Sequence, residues 1–151
     1  MGYYISLRPQ GLEELGDGLH ITLAYIGEMN NSEVSRVSEA VERQFDMWAG
    51  LTAHVQGFAN WAVGTHYYCV GLVGGFDILK VRNRVDLALY TARVDCANDF
   101  PFLPHVTIRD STELIRDTPS ITEHIPFTAR CIYLSNDDGV HTTLVCNDNQ
   151  D

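Results

Sequence analysis

Two stretches of the chain share one pattern, LHITLAYIG at residues 19–27 and FLPHVTIR at residues 102–109. Each contains His-x-Thr among alternating apolar residues, which is typical of a β-strand with one buried face. Side chains two positions apart in a strand project from the same face, about 6.5–7 Å from each other. We therefore expect His20 to lie beside Thr22, and His105 beside Thr107.

The same alternation predicts which face of the strand each neighbouring residue occupies. On the core face of the first stretch it places Leu19, Ile21, Leu23 and Tyr25. In the second stretch it places Arg109 on the face of His105 and Thr107, where its guanidinium could reach a phosphate. The alternative is that Arg109 pairs with a neighbouring acid, Asp110 or Glu113.

Periodicity and turn residues predict the remaining elements. Strands are expected at residues 3–8, 51–61, 66–73, 127–135 and 140–146, the last two forming a hairpin. Amphipathic helices are expected from an N-cap at Ser32 towards Gly50, and from Asp77 to Arg93. A helical turn is expected within the polar stretch from Asp110 to Glu123.

The chain echoes itself at an offset of 105 − 20 = 85 residues, with a His-x-Thr strand, a connection and paired strands each time. This predicts a duplicated α+β architecture, in which two antiparallel sheets face a central groove and the helices lie outside. At 151 residues the chain is expected to form a single domain, residues 1–151, with two pseudo-symmetric lobes.

Composition narrows the classes of partner. The chain is 45% hydrophobic without a run long enough to span a membrane, so we expect a cytoplasmic protein that does not bind membranes. A net charge of −10 repels long duplex nucleic acid but is compatible with a small nucleotide held by a local cluster of donors.

The four cysteines form no C-x-x-C pair, and no His or Cys spacing suggests a metal site or a cofactor. Free thiols are the favoured interpretation. A bridge between Cys131 and Cys146, on neighbouring strands, is the alternative.

Two imidazoles and two hydroxyls suit the cleavage of a phosphodiester. One histidine can remove a proton from the attacking oxygen while the other gives one to the leaving oxygen. The threonine hydroxyls can donate hydrogen bonds to the non-bridging oxygens. A rival motif, His141-Thr142-Thr143, follows a turn without an apolar approach, so we rank it below the other two.

The strands LHITLAYIG and FLPHVTIR resemble the two signature strands of the two-histidine (2H) phosphoesterase superfamily. That superfamily includes LigT-like 2′-5′ RNA ligases, cyclic phosphodiesterases and viral anti-CBASS nucleases that degrade cyclic oligonucleotide signals. The resemblance implies a bilobal fold and metal-independent phosphodiester chemistry, with the motif positions falling on His20, Thr22, His105 and Thr107.

Aromatic residues are the candidates for substrate contacts. Tyr3 and Tyr4 lie on opposite faces of the first strand, so one of them should face the groove; the sequence does not decide which, and Tyr3 is taken as the candidate. Trp61 and Tyr68 lie near the tip of the central hairpin, where Trp61 could stack on a nucleobase or cover the core beneath a loop.

Three functions follow from these expectations. The leading one is a 2H phosphodiesterase that cleaves a 2′ or 3′ phosphodiester in a small nucleotide, a cyclic oligonucleotide signal above all, as in viral anti-defence enzymes. The second is a LigT-like enzyme that acts on 2′,3′-cyclic phosphates or 2′-5′ linkages of RNA. The third is a protein that sequesters a nucleotide without cleaving it.

Overall fold

The computed structural model describes residues 2–97, 101–120 and 123–147. Within them the chain forms eight strands and two helices. In chain order these are β1 (Gly2–Leu7), β2 (Ile21–Glu28), α1 (Asn31–Gln44), β3 (Leu51–Val63), β4 (His66–Gly74), α2 (Phe76–Ala92), β5 (His105–Ser111), β6 (Ile125–Ala129), β7 (Cys131–Asn136) and β8 (His141–Cys146). Neither of these two helices is long and apolar enough to cross a membrane.

The strands form two four-stranded antiparallel sheets. The first sheet has the order β2-β1-β7-β8 and the second the order β5-β4-β3-β6. The two motif strands, β2 and β5, are therefore edge strands, and they contact each other where the sheets meet. This confirms the predicted α+β fold with two antiparallel sheets. The first sheet combines the two N-terminal strands with the two C-terminal ones, whereas the second consists of the four strands between them, so the lobes are not the N- and C-terminal halves of the chain.

One hydrophobic core lies between the sheets and the helix pair. Val37 and Val41 of α1 and Val85 of α2 are fully buried in it. The middle residues of both motifs, Ile21 and Val106, are also 0% exposed. Burial of such a side chain contributes about 1.5–3 kcal/mol, and it turns the flanking His and Thr towards the opposite face.

Helix α1 begins earlier than expected. Asn30, not Ser32, is its N-cap: the Asn30 side chain accepts a hydrogen bond from the Glu33 amide at 2.8 Å, and the Glu33 carboxylate accepts one from the Asn30 amide at 3.2 Å. The Ser32 hydroxyl accepts a hydrogen bond from Arg36 instead. The helix also ends at Gln44, before Trp48, whose indole donates to the Arg130 carbonyl at 2.7 Å.

The predicted strand at residues 127–135 is wrong, because the chain changes sheets inside it. Strand β6 pairs with β3 and ends at Ala129, whereas β7 pairs with β1 and begins at Cys131. The carbonyl of the residue between them, Arg130, accepts hydrogen bonds from the Trp48 indole and the Asn147 amide. The final hairpin consists of β7 and β8 alone.

The expected helical turn is absent from the described part of residues 110–123; residues 121 and 122 lie outside it. This segment packs against β3 instead. The Asn60 side chain donates hydrogen bonds to the Ile115 carbonyl at 3.1 Å and to the Thr118 hydroxyl at 2.6 Å, and Ile115 is buried.

The preference for free thiols is contradicted at one pair. Cys131 and Cys146 form a disulfide, while Cys69 and Cys96 are free. The bridge follows from the register of the final hairpin, because Cys131 of β7 lies directly opposite Cys146 of β8.

Candidate active site

Both motif pairs face the groove between the sheets. Thr22 lies opposite Ser6 of β1, and Thr107 lies opposite Val70 of β4. His20 immediately precedes β2 and His105 is the first residue of β5, so each histidine stands where its strand begins. The electrostatic interaction between His20 and His105 shows that the two imidazoles are near each other.

The backbone two residues earlier acts on both histidines. His105 Nδ1 lies 2.7 Å from the carbonyl oxygen of Leu103. The backbone of Gly18 stabilises the protonated form of the His20 ring. Because a carbonyl only accepts, Nδ1 of His105 carries the proton when that ring is neutral. The other ring nitrogen is left to exchange a proton with a substrate.

The groove lowers the pKa of His20. The main cause is burial, because protein atoms around the ring leave its charged form poorly hydrated even though its surface remains accessible. The nearby charges of His141, Arg8 and His105 lower the pKa further, and the hydrogen bond to Gly18 opposes these effects. His20 is therefore suited to accept a proton near neutral pH.

The second sheet places two of the predicted aromatic residues beside His105. The Trp61 ring meets the His105 ring edge-on, with centroids 4.6 Å apart. Tyr68 lies directly opposite Trp61 in the β3–β4 pair and so shares its face. Of the two possibilities for Trp61, the structure favours the groove over a position covering the core.

The choice of Tyr3 over Tyr4 is not supported. Tyr3 packs against the hydrophobic core, whereas the Tyr4 ring lies 5.5 Å from the His20 ring, centroid to centroid. Alternation in β1 requires that only one of the two face the groove, but hydropathy does not distinguish two adjacent tyrosines.

The placement of Arg109 on the face of His105 and Thr107 is wrong. Ile108 is the extra residue of a β-bulge, because Val70 pairs with Thr107 while the preceding Cys69 pairs with Arg109. Arg109 therefore shares the face of Cys69, which is turned away from the groove. Its charge accordingly acts on the Cys69 thiol. Burial raises the pKa of that thiol, and Arg109 offsets part of the rise.

A second bulge breaks the predicted alternation of β2. Ser6 pairs with Thr22 but Ile5 pairs with Ala24, so Leu23 is the extra residue there. Leu23 and Ala24 are both buried as a result. Tyr25, expected in the core, is 46% exposed and lies opposite Tyr4.

The rival histidine also faces the groove. His141 Nδ1 lies 2.6 Å from the Ser135 hydroxyl, which is 3.4 Å from the Ser6 hydroxyl beside Thr22. Burial first, and then Arg8, lowers the pKa of His141. His141 differs from the motif histidines because a hydroxyl that can donate or accept, not a carbonyl, contacts its ring. Its neighbour across the hairpin, Ser135, gave no sequence signal, since serine suits both strands and turns.

Arg8 was not identified from the sequence as a site residue. Its guanidinium carbon lies 5.3 Å above the centre of the Tyr133 ring, and its charge acts on His20 and His141. The sequence could have indicated Arg8, because it lies two positions after Ser6 and so on the same, groove-facing side of β1. Among the described residues, no three His, Cys, Asp or Glu side chains converge in a group that could hold a metal ion.

Comparison with solved structures identifies the fold. TT0787 of Thermus thermophilus superposes with a TM-score of 0.72 at 16% identity over 99% of this chain and 100% of that one. E. coli LigT complexed with 3′-AMP gives 0.66 at 17% identity over 95% of each chain. The PDE domain of MHV ns2 gives 0.64 at 14% identity over 94% of this chain and 100% of its own.

Comparisons of the sequence with family models and with curated proteins find no match. The similarity is therefore one of fold, in the arrangement of the strands and helices. LigT in its 3′-AMP complex and the ns2 PDE domain share only 17% and 14% of their residues with this chain, respectively. The chain therefore has the fold that LigT and the ns2 PDE domain share.

Proposed function

We propose that the chain is a phosphodiesterase that cleaves a small nucleotide by acid–base catalysis between His20 and His105. One observation carries the proposal: both motif histidines face one groove, where their rings interact electrostatically and Tyr4 and Trp61 contact His20 and His105 respectively. Two imidazoles so placed suit a pair of proton-transfer groups.

In the proposed reaction His20 removes the proton from the attacking oxygen, a ribose 2′-hydroxyl or a water. That oxygen forms a bond to phosphorus while the bond from phosphorus to the leaving oxygen breaks. His105 gives its proton to the leaving oxygen. Attack by a 2′-hydroxyl on a 3′-5′ linkage thus yields a 2′,3′-cyclic phosphate and a free 5′-hydroxyl, with no water consumed.

Thr22 and Thr107 are proposed to hold the phosphate. Each hydroxyl lies on the same face as its histidine, where it can donate a hydrogen bond to a non-bridging oxygen. Charge grows on these oxygens as the new bond forms, so the hydrogen bonds strengthen in the transition state. Trp61 and Tyr68 are proposed to contact a base; the edge-on contact of Trp61 with His105 and the pairing of Tyr68 with Trp61 support this.

We propose that the substrate is a cyclic oligonucleotide signal. The chain would then act as viral anti-defence enzymes do, by degrading such a signal. The acidic chain, with a net charge of −10, favours a small substrate over long RNA. Opening of 2′,3′-cyclic phosphates or 2′-5′ linkages is the second candidate, favoured by the shared fold with a LigT that is complexed with 3′-AMP.

The test is incubation with 3′,5′- and 2′,5′-linked cyclic di- and trinucleotides, and with nucleoside 2′,3′-cyclic phosphates, all in EDTA. Turnover of a cyclic oligonucleotide supports the first candidate. Turnover of the 2′,3′-cyclic phosphates alone supports the second. Tight binding with no product after long incubation would instead support a sequestering protein.

A further inference from the structure

The groove continues past His20 along one edge of the first sheet. Leu7 of β1 pairs with Ile21 on one side and with Ile132 on the other. The next residue, Arg8, therefore lies between His20 and Cys131 at the edge where the scissile phosphate is proposed to bind. The positive charge of Arg8 acts on His20.

A cavity of about 280 Å³ opens on the far side of Arg8. It is lined by Arg8, Gln10, Arg130, Tyr133 and the two cysteines of the Cys131–Cys146 disulfide, among others. In the part of the chain that the structure describes, no Asp or Glu lines it. Its volume is at the lower end of the range for ligand pockets, about 300–1,000 Å³, and thus fits part of a nucleotide better than a whole one. We call it the Arg8–Arg130 cavity.

The charge of this cavity stands out against the rest of the chain. Only 10 of the 151 residues are Lys or Arg, against 20 Asp and Glu, yet two arginines line this one small cavity. Within the described residues, neither arginine is paired with a carboxylate. The Tyr133 ring lies beneath the Arg8 guanidinium and helps to hold it in place.

We propose that the Arg8–Arg130 cavity binds a second phosphate group of the substrate. This phosphate would lie one nucleotide away from the phosphate cleaved between His20 and His105. Planar guanidinium groups bind phosphate oxygens in pairs, and two of them give a site for a phosphate carrying one or two charges. This inference rests on the proposed function and narrows it: the substrate is an oligonucleotide, linear or cyclic, and not a single nucleoside cyclic phosphate.

The test measures binding separately from cleavage. The 2′-deoxy dinucleotides dApdA, pdApdA and dApdAp differ only in a terminal phosphate. They lack the 2′-hydroxyl that would attack, and the use of His105→Ala protein prevents cleavage by water. Calorimetry of this protein should show that one of the two terminal phosphates tightens binding by about 10- to 100-fold, as hydrogen bonds to a charged group imply. A cyclic dinucleotide of deoxyadenosine, which carries its second phosphate inside the ring, is the fourth ligand.

Arg8→Gln and Arg130→Gln should each remove most of this advantage. The matched control is Arg109→Gln, which loses the same charge on the face turned away from the groove. Thermal unfolding of each variant checks that the fold is intact. The inference is overturned if neither a terminal phosphate nor the second phosphate of the cyclic dinucleotide tightens binding, or if the advantage survives in both Arg8→Gln and Arg130→Gln.

The two proposals fail in different ways. A phosphate-dependent affinity that needs Arg8 and Arg130, without cleavage of any ribonucleotide, would leave the cavity assigned and refute the phosphodiesterase. Cleavage with no phosphate-dependent affinity would refute the cavity alone. Tighter binding of only the cyclic ligand would show that the second phosphate belongs to a ring and not to a chain end.

Discussion

Leu23 and Ile108 occupy equivalent positions in the two motif strands: each is the extra residue of a β-bulge directly after the motif threonine. A bulge turns the residues beyond it to the other face while leaving those before it in register. The His-x-Thr pairs thus face the groove, whereas Ala24 and Arg109, further along, do not. Bulges are common beside active sites, where they set the direction of particular side chains.

Removal of either motif histidine should abolish most turnover. His20→Ala and His105→Ala are each expected to lower kcat by about 10²–10⁴-fold, since each removes one proton-transfer group. His141→Ala should lower it by less than about tenfold, because the Ser135 hydroxyl, not a carbonyl, contacts its ring. An inactive His141→Ala protein beside an active His105→Ala protein would reverse the assignment.

The threonines are expected to act in the transition state. Thr22→Val and Thr107→Val keep the side-chain shape but lose the hydroxyl, and each should reduce kcat by about 10²–10³-fold with a smaller change in KM. Thr143→Val is the matched control, since Thr143 lies on the same sheet opposite Tyr133. Equal losses in all three variants would show that the effect is structural.

The pH dependence should identify His20 as the base. A base works only when deprotonated, so kcat/KM falls as the pH drops through its pKa. Because burial and neighbouring charges lower the pKa of His20, this acid limb should lie below the ordinary histidine value of about 6.5. Arg8→Gln removes one positive neighbour and should move the limb to higher pH. A limb that lies above 6.5 in the unaltered protein, or one that moves down in the variant, would exclude this role.

Trp61 should contribute to binding of the base. Trp61→Ala is expected to raise KM for the cleaved nucleotide by about 5- to 150-fold, the equivalent of a stacking contact worth about 1–3 kcal/mol. Trp61→Phe should restore part of the affinity. Tyr90→Ala, which removes an aromatic ring that is 82% exposed on α2, provides the control. An unchanged KM in Trp61→Ala would place the base elsewhere.

Reduction of the disulfide should destabilise the protein without changing the motif strands. Cys131 and Cys146 are 15 residues apart, and closing a loop of that size stabilises the folded state by about 3 kcal/mol. Urea unfolding with and without a reductant measures the difference in free energy. The double variant Cys131→Ser/Cys146→Ser should resemble the reduced protein and show no response to reductant. A reductant response in that variant would point to another cause.

Local patterns were sufficient for most of the elements. Period-two and helical spacing located both helices and most strands, because burial of one face imposes these periods on any such element. They also brought out both His-x-Thr pairs, since each middle residue, Ile21 and Val106, is fully buried. The errors are at Ser32, where a neighbouring asparagine made the better cap, at Arg130, where the chain changes sheets, and in the described part of residues 110–123, which forms no helical turn.

The sequence by itself determined which residues pair within a strand: His20 with Thr22, and His105 with Thr107. This follows from the fixed period of an extended chain. Only the tertiary structure decided which neighbours join them, Tyr4 and not Tyr3, Arg8 and not Arg109. The reason is that bulges, sheet order and the crossing at Arg130 arise from pairing between distant strands, which the local alternation of apolar and polar residues does not encode.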